Sequence, residues 1–526
     1  MVTISSHPQR GRPRSGLPTR RTERYRPRRP DKTPLHRIVS THLETWLASR
    51  DRADQPVPGH VEEEFRAYLR CGILCFGFAR ARCTACGHGF LIGFSCKGRG
   101  VCPSCNGRRM AETAAHLVDR VIPPVPVRQW VISVPKRLRW FLADRPEAVT
   151  ALTTIFLGEI ERLLREAAGM SHAENEPPSA RPRFGAVSFL HRFGSALNRH
   201  VHLHTCVTDG VFTRSPEGVA FVPARPISPA DLEALTERVR HRVVCWFRRR
   251  GLIDAKAAAD MLAWENSGFS IDSSVRISLT DRDVPGYFQS LEHLVRYCAR
   301  PAFALERLCR IEARDGRPER IRYVLPRHKR GTWIGPGRSR KSSAPDARGV
   351  IHLSPHELLD RLADLIPPPR KHRHRYHGVF APNHPLRATV TALAIGNASA
   401  RPPDACQASS PPRPPGEGRG EGAGEDKPRS HDTSRLTWAT LLARIGERFP
   451  LECPNCGGDI RLVAFITDPG PIRRILTHVG EPLEPPPLAP ARGPPTAWPE
   501  LVQSHDDGDV VQASPDELPV IDIHAI

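Results

Sequence analysis

Between residues 184 and 208 apolar and polar positions alternate in two runs, Phe184-Gly-Ala-Val-Ser-Phe-Leu-His-Arg-Phe193 and Arg199-His-Val-His-Leu-His-Thr-Cys-Val-Thr208. Gly194-Ser-Ala-Leu-Asn198 divides them. Period-two patterning around a short Gly/Asn-containing connection predicts a β-hairpin. Shorter strand-like runs occur at Arg128–Val134 and Ile321–Leu325, whereas apolar residues recur at helical spacing near His42–Trp46 and Val61–Leu69, and over 146–168, 229–250, 287–312 and 355–365. Strands and helices mixed without a βαβ alternation predict an α+β fold built on antiparallel sheet.

Residues 1–40 carry eleven Lys/Arg and two acids among Pro, Ser and Gly, a mixture with too little apolar surface to fold, and are expected to form a disordered basic arm. Residues 399–434, rich in Pro, Gly, Ser and charge, are expected to be a disordered linker. A small C-terminal region, 435–526, follows and ends in a Pro-rich, acidic tail. The chain has 526 residues and a formal net charge of +21, which favours a polyanionic partner, nucleic acid foremost, over purely small-molecule work. There is no run of about 18 apolar residues and no secretory-type apolar stretch, so the expectation is a cytoplasmic protein without a membrane partner.

Seven of the 14 cysteines fall between Cys71 and Cys105. In a reducing compartment such clustering points to metal before disulfides. Cys83-Thr-Ala-Cys86 and Cys102-Pro-Ser-Cys105 have the paired spacing that presents four thiolates to one structural Zn²⁺. Cys71, Cys75, Cys96, His60 and His88 remain over, either as ligands of a second zinc or as unliganded residues. Cys453-Pro-Asn-Cys456-Gly-Gly is a further knuckle with no partner pair after it, as compatible with a metal-free turn as with a ligand pair.

On a strand, alternate side chains share a face, so His200, His202 and His204 project together. Imidazoles two residues apart suit a divalent metal with open positions that polarises a scissile phosphate, Mg²⁺ or Mn²⁺ being the expected ion. With the turn centred at Ala196-Leu197, His191 lies opposite His202 and becomes a third candidate ligand. On the predicted helix that follows, Phe288, Leu291, Leu294, Val295 and Cys298 form an apolar stripe, while Ser290, His293, Tyr297 and Arg300 form a separate polar row that faces Tyr297 away from the helix core. A tyrosine beside a cation and a metal-bound phosphate can act as nucleophile; an amphipathic surface tyrosine is the plainer alternative.

Together these segments resemble the rolling-circle, HUH-type single-tyrosine transposases of the ISCR group. Phe193-Gly-Ser-Ala-Leu-Asn198 leading into His202-Leu-His204 and Asp209-Gly-Val-Phe212 is similar to that family's HUH region. Tyr297-Cys-Ala-Arg-Pro301 resembles its tyrosine motif, His377-Gly-Val-Phe-Ala-Pro-Asn383 its downstream signature, and Ser95-Cys-Lys-Gly-Arg-Gly-Val-Cys-Pro-Ser-Cys105 its N-terminal zinc-binding domain. The resemblance runs from about residue 40 to 395. It implies a zinc-binding DNA-binding domain over 41–120, an HUH catalytic domain over 121–398, His202 and His204 as metal ligands, and Tyr297 as nucleophile toward single-stranded transposon ends. Some relatives carry a second tyrosine four residues earlier; His293 stands there, implying a single-tyrosine mechanism. Two rival functions fit the same residues: a zinc-module DNA-binding protein whose catalysis has decayed, and a metal-dependent phosphodiesterase in which water attacks.

Overall fold

The computed structural model describes residues 28–170, 181–264 apart from 217, 267–278, 284–313, 318–326, 349–394 and 453–492 apart from 454 and 459, with backbone alone at 284–287. The expected linker at 399–434 and most of the expected basic arm lie outside these residues.

Chain order begins with α1 (Pro34–Arg52) and α2 (Gly59–Arg70), then β1 (Phe78–Cys83), β2 (Gly89–Gly93) and α3 (Pro103–Arg120). Helix α1 starts inside the expected arm because Thr33 accepts a hydrogen bond from the His36 N–H and Pro34 occupies the first turn, a strong start signal that outweighs the basic composition before it. Next come β3 (Val127–Ser133), α4 (Lys136–Asp144), α5 (Pro146–Ala167), β4 (Gly185–Phe193), β5 (Arg199–Thr208), β6 (Gly210–Ser215) and β7 (Gly218–Pro223). They lead into α6 (Pro229–Arg249), α7 (Ala255–Ala263), β8 (Ser270–Asp272), β9 (Arg276–Ile277) and α8 (Val284–Cys298). The predicted helix over 287–312 therefore ends at Cys298; Pro301 cannot continue it, and Leu308–Ile311 is a strand, β10. The remaining elements are β11 (Arg320–Val324), β12 (Val350–Leu353), α9 (Pro355–Leu365), β13 (His374–Gly378), α10 (Arg387–Ala392), β14 (Ile460–Ile466) and α11 (Pro469–Val479).

The fold is mixed α/β with antiparallel sheets. The largest sheet runs β13-β4-β5-β3-β8, with β9 also paired to β3. Its two faces divide by residue parity. Trp130, Ile132, Leu203 and Val207 pack on α5 and α6, whereas Val127, Val187, Phe189 and Cys206 pack on α3 and α8. A second sheet, β10-β11-β12, shares a core with α1, α2 and α9. The third, β14-β1-β2, joins the C-terminal strand to an N-terminal hairpin.

The segment after β13 anchors the edge of the large sheet. His377 Nε2 is 2.7 Å from Ser188 Oγ, and the Val379 N–H donates to Phe184 O at 2.9 Å. Gly378 permits this with φ +58°, and a Cβ there would sit 1.9 Å from the Phe184 oxygen. Gly378→Ala is expected to cost about 3 kcal/mol through left-handed strain and this backbone collision, lowering the melting midpoint by about 10 °C in a calorimetric scan. A midpoint within about 2 °C of wild type would show that the edge adapts.

Candidate metal centre, tyrosine and cysteine clusters

Register in the β4–β5 hairpin is fixed by a two-sided core, and it sets His191 directly opposite His202 and Phe189 opposite His204. On the α3/α8 face the ligand nitrogens of His191, His202 and His204 all lie within 4.8 Å of one another. Every ring has one nitrogen engaged by a neighbouring group. His191 Nε2 is 2.7 Å from the Cys298 carbonyl, so it donates there and its Nδ1 carries the lone pair. His202 Nδ1 is 3.2 Å from the His200 carbonyl, which leaves its Nε2. His204 Nδ1 lies 2.9 Å from the Gln129 amide nitrogen, Nε2. In this orientation the amide nitrogen donates to Nδ1; a half-turn of the carboxamide would let its oxygen accept from Nδ1–H instead and would leave His204 Nε2 as the ligand atom.

His191 Nδ1 and His204 Nε2 are buried without any hydrogen-bond partner among the described residues. Leaving such atoms unpaired costs about 1–3 kcal/mol each. A metal ion shared by the three rings is the economical way to satisfy both, so the residues present fit one. Desolvation holds all three imidazoles far below their ordinary pKa, His202 at about 3, and the positive charge of Arg300 acts in the same direction. They are neutral near pH 7, the form that ligates. His200 is turned elsewhere, its Nε2 3.3 Å from Ser133 Oγ and its Nδ1 accepting from Arg139 at 3.2 Å. His293 is not among the converging ligands.

Helix α8 buries Leu291, Leu294, Val295 and Cys298, and Cys298 meets His191 through its carbonyl. The Tyr297 ring centroid lies 5.6 Å from that of His204. Contrary to the expectation, Tyr297 does not face away from the core: its ring packs against the same cluster as the apolar stripe, and its hydroxyl is buried without a hydrogen-bond partner among the described residues. Burial pushes its pKa up to about 12, against the pull of the Arg300 guanidinium, which sits 4.4 Å over the ring. Tyr323, by contrast, is buried in the separate core of the second sheet.

The sequence pattern assigns no role to Gln129 or to a basic pocket on the opposite face of the sheet. Arg99, Arg192, Lys371, Arg373 and Arg375 line that pocket together with Leu190 and Phe193, and among the described residues no Asp or Glu does. Phe193 also stacks on His191, ring centroids 4.9 Å apart, so it links the pocket to the histidine cluster. Asp209, by contrast, is committed to structure. It is buried and takes both Arg128 (2.9 Å) and Arg276 (2.5 Å).

The expected single Cys83/Cys86/Cys102/Cys105 zinc site does not form. Cys102 and Cys105 converge with Cys71 and Cys96, while Cys83 and Cys86 converge with Cys453 and Cys456. The reason is local: Cys102 caps α3 and Pro103 opens it, so this pair faces the core under α1 and α2, whereas Cys83 closes β1 and turns with the hairpin. In the first cluster adjacent sulfurs are 3.5–3.7 Å apart (Cys96–Cys105 3.5, Cys102–Cys71 3.6, Cys71–Cys105 3.7). A tetrahedral zinc with Zn–S bonds of about 2.3 Å places its sulfurs about 3.8 Å apart, so the geometry fits.

Residues 38–134 match the family model described as "Transposase zinc-binding domain", and residues 185–387 match the one described as "Putative transposase". The matches support an IS91-like transposase family. The first match contains the cluster of Cys71, Cys96, Cys102 and Cys105, and the second contains His191, His202, His204 and Tyr297. Over 317 residues the chain is 23% identical to "Putative transposase y4qJ" of Sinorhizobium fredii (strain NBRC 101917 / NGR234), covering 59% of this chain and 71% of that protein. No solved structure matches. Among the described residues no helix is long and apolar enough to cross a membrane.

Proposed function

We propose that the chain is a metal-dependent tyrosine endonuclease and strand transferase of the rolling-circle HUH type, acting on single-stranded DNA ends. The observation that carries this reading is three neutral imidazoles with their ligand atoms turned together and a tyrosine ring 5.6 Å from one of them. Tyr297 Oη attacks the phosphorus, the P–O3′ bond breaks in line, and a 5′-phosphotyrosine and a free 3′-hydroxyl result. The phenolic proton is balanced by the one gained on the 3′ oxygen. Because one phosphodiester replaces another, a second 3′-hydroxyl can reverse the step and rejoin strands.

Arg300, lying over the Tyr297 ring, favours the phenolate and is placed to meet phosphate charge. His191, His202 and His204 would hold a divalent ion, which would supply Lewis-acid polarisation of the scissile phosphate. Three nitrogen donors suit Mn²⁺ better than Mg²⁺, which favours oxygen ligands, so Mn²⁺ is expected to support faster nicking.

Preference for single strands rests on the basic pocket with Phe193 at its edge, since cations follow a backbone and an aromatic face stacks an unpaired base. Arg192→Glu and Arg375→Glu are each expected to weaken binding to a fluorescein-labelled single-stranded oligonucleotide, and to make the log–log salt dependence shallower by about 1 for each phosphate no longer neutralised. Fluorescence anisotropy across a salt series checks this; unchanged slopes would place the strand elsewhere. The reading as a whole is tested by incubating the protein with end-labelled single-stranded DNA and Mn²⁺ and running a denaturing gel. A shifted protein–DNA band is expected, nicking without that band means that water attacks, and binding without either means a DNA-binding protein only.

A further inference from the structure

We infer that Cys83, Cys86, Cys453 and Cys456 hold a second structural zinc ion, which clasps the C-terminal β14–α11 segment onto the N-terminal hairpin. Neither family match reaches Cys453 or Cys456, and this site is independent of the nicking chemistry.

The four sulfurs converge, Cys83 to Cys456 at 3.5 Å and Cys86 to Cys453 at 3.6 Å, near the edge of about 3.8 Å expected for a tetrahedral four-thiolate zinc. These separations are far longer than the roughly 2.05 Å of a disulfide. The two knuckles are also built alike. Cys83 N–H donates to His88 O at 2.8 Å and Gly87 N–H returns to Cys83 O at 3.1 Å; Cys453 N–H donates to Gly458 O at 2.8 Å and Gly457 N–H returns to Cys453 O at 2.7 Å. Gly87 and Gly457 take the same left-handed turn, φ +73° and +72°. Twin turns of the form Cys-x-x-Cys-Gly thus present their thiolates from opposite sides, as two halves of one tetrahedron.

The polypeptide around the site needs such a bond. β14 pairs with β1 from Phe78↔Ile466 to Cys83↔Ile460, yet the cores on the two sides are small. The buried residues are Ala81, Cys83, Phe90 and Cys453 on one side, edged by half-buried Ile92 and Ile460, and Phe78, Ile472 and Leu476 on the other, edged by half-buried Leu74, Cys75, Leu91, Ile466 and Ile475. Val463 and Phe465 on the strand remain exposed. Clusters of this size do not offset the chain entropy of ordering a segment, and small units of this kind are ordinarily stapled by a metal. The partners are about 370 residues apart in sequence, so closing the loop carries a large entropic cost that metal–thiolate bonds can meet.

The full-length protein is expected to lose one zinc per chain, by elemental analysis after gel filtration, in the double variant Cys453→Ser/Cys456→Ser, and the same one in Cys83→Ser/Cys86→Ser. In Co²⁺-substituted protein the thiolate charge-transfer absorption should fall by half in either. Hydrogen exchange should quicken together in 78–83 and 460–466 while α1 and α3 stay protected, which separates loss of the clasp from global unfolding. An unchanged zinc count in Cys453→Ser/Cys456→Ser would overturn the proposal, as would loss of zinc from Cys83→Ser/Cys86→Ser alone.

Discussion

Tyr297→Phe is expected to abolish the covalent protein–DNA adduct and to raise, not lower, the melting temperature. The two effects have one cause. The hydroxyl is buried beside the histidines without a hydrogen-bond partner among the described residues, so in the resting protein it is a cost of about 1–3 kcal/mol. Removing one oxygen leaves the ring, its packing against His204 and its position under Arg300 as they are. DNA affinity should therefore stay within about twofold, because none of the basic residues that carry it is altered. A stabilised, DNA-binding, adduct-free variant is the pattern of a group retained for chemistry at the expense of stability. If Tyr297→Phe unfolds the protein or leaves the adduct in place, the tyrosine is structural and the nucleophile lies elsewhere.

His204→Ala is expected to cut nicking by about a thousandfold, corresponding to several kcal/mol of lost electrophilic stabilisation. It is also expected to weaken Mn²⁺ binding beyond the reach of an ordinary titration. His204 is the central ring: it lies within 4.4 Å of His191 and 4.9 Å of His202, centroid to centroid, and abuts Tyr297. Gln129→Leu should give a graded version of the same loss. It removes the carboxamide that fixes the His204 tautomer while keeping the three ligands, and partners of this kind are worth about 10–100-fold in metal affinity. Isothermal titration with Mn²⁺ and single-turnover nicking measure both. Equal effects of the two variants would mean that Gln129 acts on folding, and no effect of His204→Ala would remove the metal from the mechanism.

Much of the site is legible in the sequence because it depends on short-range rules. Strand alternation puts His202 and His204 on one face, and the turn between Phe193 and Arg199 fixes which residue of the preceding strand faces them. Helical spacing sets Tyr297 apart from the apolar stripe of α8, yet its ring packs against the same core, because β5 covers that side of the helix as well. Partners distant in sequence are another matter. Two Cys-x-x-Cys pairs close together invite pairing with each other, although one opens a helix and the other closes a hairpin. The Gly that follows Cys86 and recurs after Cys456 is the signal that those two knuckles match. Gln129 carries no signal at all, since a lone amide in an apolar strand looks the same whether it meets a histidine or a backbone group. The basic pocket is equally invisible. Its cations come from the zinc-binding segment, β4 and the stretch around β13, and only the sheet brings them together.

Tyr297 is expected to become covalently bonded to DNA. Protein incubated with Mn²⁺ and a single-stranded oligonucleotide, digested with protease and nuclease, and sequenced by tandem mass spectrometry should yield a peptide spanning Tyr297 with a nucleotide 5′-phosphate attached to that residue. A nucleotide found on Tyr323 or any other residue, or nicked DNA with no modified peptide, would contradict it.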